Sequence, residues 1–251
     1  MKKFVFITTR NQHQYDHPLR SRLWTLCHKT LLNQQSNNWQ ALVVGLDEKE
    51  EGNITYLKAT GETKKPKIKQ ALEYIAAQDS PPEYLIRLDD DDLISTTILK
   101  DLDGLEADAF TDKYHLLYDI TTGKSLQNDH TWFPNTCILG YQHAIQPFGP
   151  EAMPLFMYDH DKAWHQYFEG KNVGYASKKD PVYLRVISPA TVSISGTWDK
   201  SQDYDHENFE RYVQSLRKWR RINFWKKRSF KGLDPYEPDL SALRELLFTK
   251  A

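Results

Sequence analysis

The chain has 251 residues, a length that suits one large α/β domain or one domain with a C-terminal appendage. Its 33 basic and 34 acidic residues leave a formal net charge of −1, which argues against a whole-chain nucleic-acid binder. The two cysteines, Cys27 and Cys137, form no CxxC pair and fit a reducing compartment, so we expect a cytoplasmic protein. The apolar run near Met1 is too short for a signal peptide, and no run is long enough for a transmembrane helix.

The first 92 residues alternate between short apolar runs and segments with helical periodicity. After Pro18, apolar residues recur every three or four positions as far as Leu31, which predicts an amphipathic helix over 18–34. A second helix is expected from Pro66 to about residue 80 on the same grounds. The apolar runs predict strands over 4–7, 39–46, 54–57 and 84–88. This alternation indicates an α/β fold with a mostly parallel central sheet that is covered by helices.

The strand predicted over 84–88 leads directly into four consecutive carboxylates, Asp89, Asp90, Asp91 and Asp92, which we call the acidic run. Because four adjacent carboxylates repel one another, the run needs a compensating cation. A divalent ion such as Mg²⁺, Mn²⁺ or Ca²⁺ is the usual one, since hard cations prefer oxygen ligands. The position also favours a site, because α/β sheets bind ligands at the carboxyl ends of their strands. The alternative is a solvated acidic turn in which Ser95 caps the following helix.

Polar residues also follow the first two predicted strands: Thr8 to Arg10 after one, and Asp47 with Glu48 after the other. We expect them to lie near the acidic run at the carboxyl edge of the sheet. Neither GxGxxG nor GxxxxGK[ST] occurs in the chain. A diphosphate ligand would therefore be held by a metal ion and basic side chains instead of a glycine-rich loop.

Leu88 and the acidic run resemble the DxD-type motif of GT-A glycosyltransferases, in the L-D-x-D-D form common among inverting family 2 enzymes. The order of elements before the motif is similar too. The Arg-Leu-Asp-Asp-Asp-Asp form, with Thr9-Arg10 near the start and a Gln-rich stretch before Trp39, resembles the rhamnosyltransferase group of that superfamily. The resemblance covers about residues 3–190 and implies a GT-A, Rossmann-like sandwich.

The resemblance implies a role for each polar residue at the sheet edge. Asp91 would bind the Mn²⁺ or Mg²⁺ ion that bridges two phosphates of a sugar nucleotide, with Asp89 on the ribose or the metal. Asp92 would support Asp89 and Asp91 at the metal. The remaining nucleotide-sugar contacts that the resemblance implies are Thr8, Arg10, Asp47, Lys65, Lys67 and Asp90. The two lysines also admit a simpler interpretation as the solvated start of a helix.

The second half of the chain is where GT-A enzymes build the acceptor site. The resemblance assigns acceptor contacts to Trp132, His160 and Trp164, although aromatic residues are also ordinary core residues. Asp159 matches the base that deprotonates the acceptor hydroxyl in inverting enzymes, and Asp161 is the second candidate. The chain departs from the family's Glu-Asp pattern at this point, because Tyr158 stands where Glu is expected. Helix N-capping is the alternative role for both carboxylates.

The same half contains several further predicted elements. We expect a helix over 95–105, strands over 107–111, 115–120, 136–141, 173–176 and 182–187, and helices from residue 163 and over 239–250. The strands over 173–176 and 182–187 should complete the sheet. We expect a catalytic domain over 1–200 and a helical, basic and aromatic appendage over 201–251.

The appendage carries a strongly basic segment, with nine basic and no acidic residues over 211–231. Tryptophan and phenylalanine interleave with these charges, which is typical of contact with an anionic membrane surface. We therefore favour peripheral contact at the inner face of the plasma membrane. A nucleic-acid patch and a packed helix with a solvated polar face are the alternatives.

These features together predict a metal-dependent, inverting transferase that moves a sugar from a nucleotide-diphosphate sugar to an acceptor hydroxyl. The acceptor would be a glycan or a lipid-linked saccharide, in the synthesis of a cell-surface polysaccharide. A metal-dependent nucleotidyltransferase is one alternative, but such enzymes typically open with a glycine-rich, basic loop that residues 8–17 lack. A non-catalytic protein that binds a divalent metal or a glycan is the other.

Overall fold

The computed structural model describes residues 2–121, 123–129, 133–158, 160–188 and 230–248. Most of the basic segment over 211–231 lies outside these residues, as do Trp132 and Asp159. Within the described part, no helix has the length and apolarity needed to cross a membrane. The two predicted domains, the cytoplasmic location and the membrane contact therefore stay predictions.

The strands of the described part are short, and most are buried. They are β1 (Phe4–Thr9), β2 (Trp39–Gly45), β3 (Lys49–Glu51), β4 (Ile54–Lys58), β5 (Tyr84–Arg87), β6 (Leu93–Ile94), β7 (Ala109–Asp112), β8 (Tyr114–Asp119), β9 (Lys124–Asp129), β10 (Ile138–Gly140), β11 (Pro147–Phe148), β12 (Met153–Pro154), β13 (Val173–Ala176) and β14 (Tyr183–Ile187). The helices are α1 (Gln12–Asp16), α2 (Pro18–Leu32), α3 (Lys64–Ala76), α4 (Ile98–Asp101), α5 (Tyr141–Ala144), α6 (His165–Phe168) and α7 (Glu237–Phe248), with a π-helical turn at His160–Trp164.

Eight strands form the central sheet, in the order β13-β7-β10-β5-β1-β2-β4-β3. β1 pairs in parallel with both β2 and β5, and the pairs β2–β4 and β7–β13 are also parallel. β10 is antiparallel to both of its neighbours, β5 and β7, and β3 is an antiparallel edge strand. β1 and β5 lie at the centre because their apolar runs are buried on both faces, as parallel strands under helices require.

A second sheet of four strands, in the order β6-β14-β8-β9, corrects one prediction. The segment 182–187 was expected to complete the central sheet, but β14 pairs in parallel with β8 and in antiparallel fashion with β6. The physical reason lies in the connection, because β8 begins two residues after β7 ends and carries the chain out of the central sheet. β14 follows it, and Leu184 and Val186 pack in the same apolar cluster as Leu116.

The bounds of the helices match the prediction where the apolar periodicity extends over several turns. They differ where bonds to distant segments replace bonds within the helix. α2, α3 and α7 form close to the predicted bounds. The helix predicted over 95–105 is reduced to α4, because contacts with distant segments hold Ser95 and Thr96, where it would begin. The Thr96 carbonyl, which a helix would offer to the Lys100 N–H, instead accepts from the Gln35 N–H at 2.8 Å. The Ser95 N–H donates to the Val182 carbonyl at 2.9 Å, and the Thr96 N–H donates to the Gly232 carbonyl at 3.2 Å.

Residues 230–236 hold the loop that follows the acidic run. Besides the Thr96 bond, the Ser95 hydroxyl donates to the Lys231 carbonyl at 3.4 Å, and the Lys231 ammonium pairs with Asp101 at 2.6 Å. Gly232 has a φ of +76°, and a Cβ there would overlap the Ser95 hydroxyl. A glycine is therefore required for this close approach.

Three apolar clusters form the core of the part that the structure describes. One face of the central sheet packs against α2 through residues such as Phe6 and Leu31, and the other packs against α3 through Ile7 and Ile68. The third cluster joins α2 to the second sheet and to residues 230–243. The structure thus confirms an α/β fold with a mostly parallel central sheet and a C-terminal helix, the arrangement that the GT-A resemblance implies.

Candidate active site

The acidic run forms the corner where the chain passes from the central sheet to the second sheet. β5 ends at Arg87, and β6 begins at Leu93. Between them the Asp92 N–H donates to the Asp89 carbonyl at 3.2 Å, which closes a tight turn. The run therefore lies at the carboxyl end of β5, next to the carboxyl end of β1, where parallel sheets bind ligands.

Asp90 and Asp91 point into the protein towards α2. The two terminal nitrogens of Arg20 pair separately with these carboxylates, one with Asp90 and the other with Asp91. Asp90 also accepts from Arg10 Nε at 3.3 Å and from Gln14 Nε2 at 2.8 Å. Its carboxylate is 1% exposed and Arg20 is 3% exposed, so this is a buried ion-pair network. The Asp90 carboxylate is thus used inside the protein, which contradicts its predicted contact with the nucleotide sugar.

The two outer carboxylates of the run have different surroundings. Asp92 is buried and accepts from the Val186 N–H at 3.1 Å, so it ties the corner to β14. Asp89 is the accessible member of the run, with 37% of its side chain exposed, and it pairs with the Lys64 ammonium at 2.8 Å. Lys64 begins α3, so this pair links the acidic run to the helix that covers β1 and β2.

Burial and neighbouring charges separate the four carboxylates electrostatically. Burial, together with the like charge of adjacent carboxylates, raises the pKa of Asp90, Asp91 and Asp92. Burial acts in the same direction on the pKa of Asp89, but Lys64, Arg87 and Arg20 outweigh it and hold that pKa well below its usual range. The charged form is therefore favoured most strongly at Asp89, which is also the carboxylate that can offer oxygen ligands at the surface.

The residues after β1 support the corner from the inside. The Arg10 guanidinium lies 3.9 Å from the Tyr15 ring centroid and 4.9 Å from that of Trp24, in addition to its bond with Asp90. Arg10 is buried with Thr8, which corrects the expectation that both line a bound nucleotide directly. Asp47, by contrast, is exposed after β2, and its predicted nucleotide contact stays a prediction.

The lysines at the start of α3 divide between the surface and the interior. Lys67 is buried, and its ammonium donates to the Arg10 carbonyl at 2.7 Å and to the Asn11 side chain. It holds the loop after β1, which corrects its predicted phosphate contact. Lys65 is exposed, and its ammonium lies 6.0 Å from the Tyr158 ring centroid. Lys64 and Lys65 are thus exposed at the start of α3, and Lys64 is the one that pairs with Asp89.

On the other side of β5, Arg87 connects the corner to the predicted acceptor segment. Its guanidinium lies 4.5 Å from the Trp164 ring centroid and donates to the Tyr158 carbonyl at 3.3 Å. Trp164 is fully buried and donates to the Leu155 carbonyl at 2.9 Å, so its predicted acceptor contact is wrong. It is a core residue, because α6 and the turn before it pack their aromatic face against the sheet.

The remaining predicted residues of this segment are only partly described. The His160 ring nitrogen Nδ1 lies 2.6 Å from the Phe133 carbonyl, so the imidazole is fixed. Asp161 belongs to the π-helical turn, but its side chain lies outside the description, and Asp159 and Trp132 lie outside the described residues altogether. The predicted catalytic and acceptor roles of Asp159, Asp161, Trp132 and His160 remain predictions.

The donor atoms of the acidic run suit a hard divalent ion, since such ions prefer carboxylate oxygens. Within the described ranges, no three His, Cys, Asp or Glu side chains form a group that could hold a metal ion. Mg²⁺ in phosphate sites is usually held by one or two carboxylates together with substrate phosphates. Asp89 fits that mode of binding, in which the ligand completes the coordination. Asp91 is buried and pairs with Arg20, which contradicts its predicted place as a metal ligand.

Four side chains that shape the site were not predicted: Gln14, Arg20, Lys64 and Arg87. The burial of Arg20 could have been predicted from the sequence, because Arg20 lies on the apolar stripe of α2 with Leu23, Cys27 and Leu31 at helical spacing. A cation on a buried helix face needs an anionic partner, and the acidic run is the densest source of such partners. Arg87 gave a similar signal as a charge inside an apolar strand.

Fold and site together define an α/β protein with a charged, ligand-accessible corner at the carboxyl edge of its central sheet. No family model matches the chain, and no curated protein matches it. Three solved structures with similar folds illustrate the structural comparison. S. aureus TarS has 15% sequence identity and a TM-score of 0.47, over 74% of this chain and 37% of TarS.

A crystal structure of S. aureus TarS 1-349 in complex with UDP has 17% identity and a TM-score of 0.48, over 75% of this chain and 61% of that one. The glycosyltransferase GlyE of Streptococcus pneumoniae has 12% identity and a TM-score of 0.40, over 85% of this chain and 64% of GlyE. This chain thus spans less than two thirds of each of the three. These sequence identities and TM-scores are low. The fold is therefore assigned from the sheet described above, and the activity is proposed from this chain's own residues.

Proposed function

We propose that this protein transfers a sugar from a nucleotide-diphosphate sugar to an acceptor hydroxyl. The proposal depends on one ion pair at the surface of the corner, which we call the rim. There the accessible Asp89 carboxylate pairs with the Lys64 ammonium at 2.8 Å. Lys65 is exposed on the same helix start. A carboxylate paired with one exposed lysine, with a second exposed lysine next to that one in the chain, suits a diphosphate that binds together with a divalent ion.

Each rim residue has a specific part in this proposal. Asp89 would hold Mn²⁺ or Mg²⁺ beside the donor, whose phosphates would complete the coordination, and Lys64 and Lys65 would contact those phosphates. When bound, such an ion would neutralise charge on the departing diphosphate. Asp47, which is exposed after β2, would contact the ribose or the base. Asp92 contributes indirectly, because its bond to the Val186 N–H fixes the corner.

Sugar transfer also needs a group that accepts the acceptor's proton. In the proposed reaction the bond between the anomeric carbon and the diphosphate oxygen breaks, and its electron pair leaves with the diphosphate. The acceptor oxygen forms the new bond on the opposite face and gives its proton to Asp159, with Asp161 as the second candidate. Single displacement of this kind inverts the configuration at the anomeric carbon.

The first test is a thermal-unfolding panel of the whole protein with UDP, GDP, TDP and CDP, each with and without Mn²⁺. A ligand that binds only the folded state raises the unfolding midpoint, so one nucleotide should produce a metal-dependent rise of several degrees, roughly 3–10 °C at saturation. That nucleotide would also select the donor class.

The matched variants are Asp89→Ala, which removes the rim carboxylate, and Asp103→Ala, which removes an exposed aspartate away from the site. We expect the first to abolish the nucleotide shift and the metal-dependent hydrolysis of the selected sugar nucleotide, and the second to preserve both. A complete absence of shifts, or an Asp89→Ala variant that keeps them, would contradict the proposal.

A further inference from the structure

Arg20 lies outside the acidic run in sequence but contacts its two central carboxylates. It lies in the first turn of α2, and its two terminal nitrogens bridge the adjacent carboxylates of Asp90 and Asp91. The planar guanidinium suits this position, because its fixed fork presents two parallel donors to two acceptors. A divalent ion between two carboxylates would meet the same pair of oxygen ligands.

The charges around the run show that Arg20 is the main internal counter-ion. Its charge acts on Asp89 as well as on the two carboxylates that it contacts. Arg10 adds a second cation at Asp90, Arg185 acts on Asp91 and Asp92, and Lys64 neutralises Asp89 at the surface. The buried half of the run is therefore compensated from within the chain.

We propose that Arg20 is the resident cation of the acidic run, taking the place between Asp90 and Asp91 that a divalent ion would otherwise fill. The free protein then needs no metal to hold its corner together. A divalent ion binds on the Asp89 side, and only together with a ligand that supplies phosphate oxygens. The inference concerns the free protein, so it can fail while the proposed transfer stands.

The test uses the full chain, MnCl₂ alone and no nucleotide, with thermal unfolding as the readout. Arg20→Ala leaves Asp90 and Asp91 without their shared partner, and we expect the unfolding midpoint to fall by roughly 10 °C. Excess Mn²⁺ should restore about half of that fall or more, because the ion can enter the vacated position.

The matched control is Arg22→Ala, which removes an exposed arginine from the same helix. The wild-type protein and this control should change by less than about 1 °C with Mn²⁺, since their acidic run already has its cation. Stabilisation of the wild type by Mn²⁺ alone, to the same extent as Arg20→Ala, would overturn the proposal. So would an Arg20→Ala variant that loses stability and gains none of it back with Mn²⁺.

A second variant keeps the proposal testable if Arg20→Ala is not recovered in folded form. Arg20→Ala combined with Asp90→Asn removes one negative charge along with the cation, which lowers the repulsion left in the run. The double variant should fold and unfold at a higher temperature than the single variant. If it is as poorly folded as the single variant, Arg20 does not act through the charge of the run and the proposal fails.

Discussion

Asp90 and Asp112 are both buried carboxylates, but they are stabilised in opposite ways. Asp90 contacts the cations Arg20 and Arg10. Asp112, at the end of β7, instead accepts from the backbone N–H groups of Val182 and Tyr183, at 2.9 Å and 3.3 Å. The first arrangement joins charges from three parts of the chain beneath the candidate active site. The second joins the central sheet to the second sheet and needs only a hydrogen-bond acceptor.

The largest loss of unfolding free energy is expected from a change at Asp90. Asp90→Ala leaves the buried Arg20 and Arg10 without one of their anionic partners, and breaking a buried pair from one side costs about 3–5 kcal/mol of unfolding free energy. Urea unfolding measures the loss. Asp103→Ala, at an exposed position, should stay within about 0.5 kcal/mol of the wild type. A loss below about 1 kcal/mol at Asp90 would show that the network is not a stabilising one.

A smaller effect, of different form, is expected at Asp112. Burial raises the pKa of its carboxyl to about 7, against the opposing effect of the two backbone N–H groups. The folded state then binds a proton that the unfolded state releases at lower pH. The contribution of Asp112 to stability should therefore fall as pH rises from about 4 to about 7, by at most about 1.4 kcal/mol per pH unit.

Asp112→Asn removes the pH-dependent contribution of this carboxyl to stability, because the amide has a similar shape and does not titrate. The unfolding free energy of the wild type, minus that of the variant, should decrease between pH 5 and pH 8, by roughly 1–3 kcal/mol. A difference that is constant across this range would mean that Asp112 keeps an ordinary pKa in the folded protein.

The smallest effect on stability is expected at the rim pair. Lys64 and Asp89 are about 40% exposed, with side-chain values of 44% and 37%, so solvent screens their attraction. Lys64→Met should change the unfolding free energy by less than about 1 kcal/mol, yet it should weaken the metal-dependent nucleotide shift. Lys69→Met is the control, because Lys69 pairs with Glu73 along the same helix. Equal nucleotide shifts in both variants would remove Lys64 from the site.

The sequence predicted the elements of this fold better than the directions of its side chains. The strand at 84–88 and the helix at 18–34 follow from local apolar patterns, which are complete within each segment. The partners of the acidic run depend instead on residues far away along the chain, Arg20 for Asp90 and Val186 for Asp92. No local pattern records such contacts.

The mistaken site predictions have the same origin. Lys67 and Trp164 were judged by residue type, since lysines bind phosphates and tryptophans bind sugars. Their burial is decided by how α3 and α6 pack on the sheet. The sheet assignment of β14 failed for a related reason, because an apolar run carries no mark of which sheet it will join.

The contacts of residues 230–236 with the loop after the acidic run have a consequence for how the protein is made. Ser95 and Thr96 bond to groups 136 residues further along the chain. At the usual pace of a ribosome, about 5–20 residues per second, those groups emerge on the order of ten seconds later. The first strands and helices can pair during that interval, whereas the bonds of Ser95 and Thr96 wait. The loop after the acidic run is thus fixed late in biosynthesis, only after residues 230–236 have left the ribosome.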